Sequence, residues 1–162
     1  MRTQLATALL VALATASAAQ SRPFSFATVS FPTDWKVEGD GQTYLASPAS
    51  GAEDRSITAQ VCTRAKEDCG KTCTHSELKP NFFYFFDAKS NTEYSQPTRT
   101  DGFQELKGVG TYGQPPMWVA ATVLCSSLGI VYIGATSASK EDAESLLGDV
   151  AASLRISSNA SK

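Results

Sequence analysis

Residues 117–138 read MWVAATVLCSSLGIVYIGATSA. Two runs in this stretch, Met117–Cys125 and Gly129–Ala138, are apolar at almost every position. A strand with one wet face alternates apolar and polar residues. A strand that is apolar on both faces of its pleat has to be covered on both. The segment Ser126–Gly129 between the runs has the length and small polar residues of a hairpin connection. The stretch therefore predicts two adjacent antiparallel strands at the centre of a sheet, with a packed layer above and another below.

Working outward, the other strands follow from alternation and from turn chemistry. SITAQVC (56–62) places Ile57, Ala59 and Val61 on one face, and TYLASP (43–48) is a shorter strand. Glu38-Gly39-Asp40-Gly41 is a turn, since glycine tolerates positive φ. PFSFATVSFP (23–32) reads as one strand ended by Pro32, with Ala27, Val29 and Phe31 on one face and Phe24, Phe26 and Thr28 on the other. FQELKGVGTYG (103–113) is a strand weakened by Gly108 and Gly110. EYSQPTR (93–99) is an edge strand, because Pro97 cannot donate to a ladder.

Two helices are predicted as the covering layers. Ser139 can cap the first, with Glu141 and Asp142 at the positive end of its dipole. Ala143, Leu147, Val150 and Leu154 recur at helical spacing, to about Ile156. The second lies near Pro80–Lys89 (KPNFFYFFDAK), with Pro80 in the first turn, where a missing N–H costs nothing. The expected fold class is α+β, an antiparallel sheet flanked by helices in an α/β/α sandwich stapled by disulfides.

The chain opens MRTQLATALLVALATASAAQS, with Arg2 as a basic start, an apolar run from Leu5 to Ala14 and a small-x-small site at Ala16-Ser17-Ala18. This is the pattern of an export leader over residues 1–19, cut after Ala18 or Ala19. The run is too short to span a bilayer, which takes about 20 apolar residues. Removing the leader leaves about 140 residues, a size that suits one domain over 20–156 with a short flexible tail at 157–162. The expected product is soluble, periplasmic or secreted, with no membrane span after cleavage. A formal net charge of −2 offers no basic face for nucleic acid.

Three of the four cysteines and the only histidine lie in VCTRAKEDCGKTCTH (61–75). In an oxidising compartment Cys62, Cys69, Cys73 and Cys125 are expected to form disulfides. Cys62 and Cys125 each end a strand-like segment, so a bridge between them is attractive. Cys62–Cys69 with Cys73–Cys125 stays open as a competing set. Paired zinc knuckles and C-x-x-C are both missing, so neither a metal site nor a thioredoxin-type centre is predicted. No cofactor is expected.

FSFATVSFPTDW (24–35) resembles the opening strand and the P-x-x-W of the PsbP-like superfamily, on Phe26, Phe31, Pro32 and Trp35. That superfamily includes the photosystem extrinsic protein, the Ran-binding Mog proteins and the bacterial DcrB-like exported proteins. The later order of parts is also similar: a glycine-containing strand (Gly108, Gly110), two apolar strands through Tyr132 and a terminal helix ending near Ser153-Leu154. The resemblance implies an antiparallel sheet between helical layers and a non-enzymatic binding or assembly role. It carries over no active site, and the cysteine-rich insert departs from it.

Catalysis finds no constellation. His75 is the one candidate base, and no serine sits in G-x-S-x-G. Binding finds more. Phe83 and Tyr84 fall off the apolar stripe of the Phe82–Phe86 run, and Tyr112 and Met117 flank a stiff Gly-Gln-Pro-Pro loop. The expectation is an exported, non-enzymatic binding or accessory protein of the cell envelope that meets a protein partner. An immunity-type protein neutralising a toxin in the periplasm is its specific version. A small-ligand or metal carrier, or a hydrolase using His75, is the alternative.

Overall fold

The computed structural model describes residues 19–52, 54–63, 73, 93–94, 98–100 and 103–156. The strands are β1 (Gln20–Phe24), β2 (Ala27–Phe31), β3 (Trp35–Gly39), β4 (Thr43–Pro48) and β5 (Ser56–Thr63). They continue with β6 (Glu93–Tyr94), β7 (Thr98–Thr100), β8 (Phe103–Tyr112), β9 (Met117–Ser126), β10 (Gly129–Ser137) and β11 (Arg155–Ile156). The helix α1 spans Lys140–Ser153. An eight-stranded sheet has the order β3-β4-β5-β10-β9-β8-β6, with β7 also on β8, and a smaller sheet has the order β1-β2-β11. All pairings are antiparallel.

The hairpin β9–β10 sits mid-sheet as the sequence predicts, turning at Ser127-Leu128. Its two faces feed two cores. Ala120, Val131, Ile133 and Ala135 join Tyr44, Ala46, Ile57, Ala59 and Val61 on the first face. Over them lie Phe24, Val29 and Phe31 of the small sheet and Ala143, Leu146, Leu147 and Val150 of α1. Alanines at 120, 135 and 143 let helix and sheet approach closely. Val119, Ala121, Val123, Cys125 and Ile130 form the second core with Leu106 of β8, and Cys62, Cys73 and Tyr132 pack against it half-buried.

The expected sandwich with helices on both faces is not what forms. The described residues are mostly antiparallel strand in two sheets, with a single helix. On the first face a small sheet shares the cover with α1. The reason lies in the opening segment. It does not run straight as one strand but turns at Ser25-Phe26 into the β1–β2 hairpin, pairing Phe24 with Ala27. The turn resets the alternation, so Phe24 and Phe26 reach the same core as Ala27, Val29 and Phe31. The second predicted helix, Pro80–Lys89, lies outside the described residues.

Two further boundaries shift. EYSQPTR yields two short strands, β6 and β7, one on each side of residues 95–97. The terminal helix starts as predicted, with the Asp142 amide donating to Ser139 Oγ at 3.2 Å, but ends at Ser153 rather than near Ile156. There the Ser153 hydroxyl accepts from the Ser30 amide at 2.8 Å and donates to the Val150 carbonyl at 2.6 Å. This draws the chain onto the edge of β2, where Arg155 and Ile156 pair with Thr28 and Ala27.

The disulfide that forms is Cys73–Cys125, with Cα atoms 5.5 Å apart. The bridge from Cys62 to Cys125 is excluded by register. Ile130 lies opposite both of them, on opposite sides of β10. Two strand spacings amount to about 9.6 Å, beyond the roughly 7 Å a disulfide spans. Cys62 is also disulfide-bonded, and Cys69 lies outside the described residues. With 52 positions between its ends, the Cys73–Cys125 bond should contribute about 4 kcal/mol by chain entropy. Denaturant unfolding of Cys73→Ala/Cys125→Ala checks this, and a loss under about 1 kcal/mol would contradict it.

The turn joining β3 to β4 is built on Asp40, whose Oδ1 accepts the amides of Gln42 and Thr43, each at 2.9 Å. Those amides, Thr43's foremost, hold the Asp40 carboxyl below its ordinary pKa. Gly39 precedes it at φ 158°, and a β-carbon there would run into the Thr43 carbonyl and the Tyr44 ring. Gly39→Ala is expected to cost about 2–3 kcal/mol in equilibrium unfolding, because the obstacle is partly backbone and cannot swing aside.

Candidate functional site

The sequence-predicted contact residues Tyr112 and Met117 meet at the tip of the β8–β9 hairpin, where they form its last cross-strand pair. Gly113, Gln114, Pro115 and Pro116 connect them, all exposed. Gly113 supplies the left-handed conformation the turn needs, at φ 85°, and two consecutive prolines stiffen the remainder. Tyr112 is 58% exposed, one of two exposed large hydrophobic residues among those described. Met117 beside it is half-buried.

The next pair inward, Thr111 and Trp118, points to the opposite face. Trp118 is half-buried and packs against the first core. Lys140, in the first turn of α1, places its Nζ 6.0 Å from the Trp118 ring centroid. The tip thus stands on an anchored base. Strand alternation sends Trp118 inward and leaves Tyr112 in solvent.

Phe83 and Tyr84, the other predicted contact residues, lie outside the described residues, as does His75. Two polar clusters went unnoticed in the sequence. Arg55, ahead of β5, places Nε 2.9 Å from Asp142 Oδ2 and donates from Nη2 to Oδ1 at 2.9 Å. Buried Ser137 donates to the same carboxylate at 2.6 Å, and the Arg55 guanidinium lies 5.6 Å from the centre of the Trp35 ring. This cluster fastens the start of α1 to the sheet. In the second, the fully buried Thr122 hydroxyl donates to Glu105 Oε1 at 3.1 Å, and Lys107 Nζ lies 3.1 Å from the same oxygen. The first joins residues 87 positions apart and the second joins neighbouring strands, so sheet order and register are needed to see them.

Among the described residues no group of histidine, cysteine and acidic side chains has the arrangement of a metal site. No helix among them is long and apolar enough to cross a membrane. The disulfide fits an oxidising compartment.

No family model matches the chain, and no curated protein matches it. Among solved structures it is similar to a crystal structure from Bacteroides thetaiotaomicron VPI-5482, with 14% sequence identity and a TM-score of 0.48. The likeness covers 87% of this chain and 48% of that one, so the chain spans about half the length of that protein.

Tip and base should separate in stability measurements. Tyr112→Ala is expected to change unfolding free energy by less than about 0.5 kcal/mol, as a surface substitution does. Trp118→Ala should cost about 2–3 kcal/mol through lost packing. Equal losses would mean that Tyr112 serves the core.

Proposed function

We propose that the protein is exported, resides oxidised in the periplasm or outside the cell, and is a non-enzymatic binding protein. It meets a protein partner through the β8–β9 tip. The observation that carries this reading is the Tyr112–Met117 pair, held at the exposed end of a glycine- and proline-shaped turn over an anchored tryptophan. A stiff turn loses little conformational freedom on binding, so more of the contact energy survives as affinity. Tyrosine is among the residues that dominate interface energetics, and methionine is enriched there too.

The leader pattern and the disulfide support the compartment together, since a bond of this kind persists where thiols are oxidised. In its specific form the reading is an immunity-type protein that neutralises a toxin reaching the periplasm. The leader pattern and disulfide stapling support that form.

The test is affinity capture by the oxidised protein from envelope extracts, extracts of competing cells included, followed by titration of the captured partner. Tyr112→Ala is expected to weaken a saturable protein partner at least about tenfold, while the fold keeps its stability. A partner held equally by wild type and by Tyr112→Ala/Met117→Ala would refute the tip as the contact.

A further inference from the structure

Gln20, the first residue of β1, reaches across to the open edge of the large sheet. Its side-chain Nε2 donates to the carbonyls of Trp35 at 2.7 Å, Thr33 at 3.0 Å and Pro32 at 3.3 Å. The ladder explains why acceptors are available there. The Ala49 amide donates to the Asp34 carbonyl, and the Asp40 amide to the Thr43 carbonyl. Antiparallel pairing alternates, so residues 34, 36, 38 and 40 bond to β4 and the Trp35 carbonyl points outward. On the other side of the amide, Arg22 Nη2 donates to Gln20 Oε1 at 3.4 Å. The position therefore uses a donor and an acceptor on one planar group, which glutamine supplies and glutamate does not.

This residue also stands at the end of the export leader, where cleavage after Ala18 or after Ala19 fits the sequence equally. The two cuts differ in chemistry. A chain beginning at Gln20 has a free α-amine within reach of its own side-chain Cδ. Attack of that nitrogen on Cδ forms a lactam, breaks the Cδ–Nε2 bond and releases Nε2 as ammonia, with the amine proton leaving on it. No oxidant or co-substrate is required. The product, pyroglutamate, lacks the atom that makes all three carbonyl contacts. A chain beginning at Ala19 has no such amine at Gln20, and Ala19 itself is exposed, with room to remain.

We propose that the mature chain begins at Ala19, and that this placement of the cut protects Gln20 as an amino-terminal clasp on the turn and first residue of β3. The inference rests on the export reading above. The clasp ties the first residue of the small sheet to the edge of the large one, so its loss should loosen the junction between the two.

The precursor is expressed with its own leader in an exporting host, and the intact mass of the product is measured. In parallel, a Gln20-first protein is prepared, closed with a glutaminyl cyclase and melted beside the Ala19-first protein and its Gln20→Ala variant. The expected result is an Ala19 start with no mass deficit of one ammonia. The cyclised protein and Gln20→Ala should both melt about 3–5 °C lower. A Gln20 start with the ammonia lost and melting unchanged would overturn the clasp while leaving export intact. A product that keeps residues 1–18 would overturn the export reading and the inference with it.

Discussion

Burial of the β9–β10 hairpin on both faces is the constraint on which the remaining structure depends. Val119, Val123 and Ile130 face one way, and Ala120, Val131 and Ile133 the other, and all are buried. Each fully buried aliphatic side chain stabilises by about 1.5–3 kcal/mol relative to exposure, so neither face can be left wet. On the first face the chain supplies the β1–β2 hairpin before the sheet is built and α1 after it is complete. Covering layers from opposite ends of the sequence mean that this core closes only when most of the domain is in place. Two hydroxyls buried beneath these layers are paired. Thr122 donates to Glu105, and Ser137 to the Asp142 carboxylate that Arg55 also holds, as the cost of an unsatisfied buried group demands.

The second face is stapled. Cys125 lies in its core, and the bond to Cys73 pins a point 52 residues upstream onto it. In a sheet protein whose contacts are mainly non-local, such a link removes freedom from the unfolded chain more than it adds contacts to the folded one. The fold at this point suits an oxidising compartment, where such a link persists.

Legibility in the sequence followed the locality of the signal. The central strands, the strands β4, β5 and β8, and the Ser139 cap were readable from alternation and capping within a few residues. The turn at Ser25-Phe26 was not. It contains no glycine, proline, asparagine or aspartate, and apolar alternation runs on through it, so nothing local marks the reversal. Helical spacing alone carried α1 on to Ile156, because the Ser30 contact that helps end it at Ser153 lies 123 positions away. The pairing of Cys125 depended on which strand separates it from Cys62, a matter of sheet order. At the candidate site the Gly-Gln-Pro-Pro composition announced a stiff turn. Strand parity, fixed by the Tyr112–Met117 register, then decided that Tyr112 rather than Trp118 faces solvent.

Under the proposed reading, recognition falls to side chains at the tip rather than to strand addition, and the sheet edges supply a reason. An open edge offers unpaired backbone groups to any extended chain. On β3, Lys36 and Glu38 form an exposed ion pair, in which each holds the other's charge: the lysine pKa is raised and the glutamate pKa lowered. Another strand laid there would crowd this charged pair, and the Gln20 amide already occupies the Trp35 carbonyl. At the far side β8 is covered along part of its length by β6 and β7. Among the described residues, Tyr112 at the end of the β8–β9 hairpin is the most exposed large apolar side chain, with Leu45 of β4 the other one open to solvent. A partner docking at the tip, as proposed, would meet side chains set by the hairpin register, and specificity would then rest on the shape around Tyr112 rather than on generic backbone pairing.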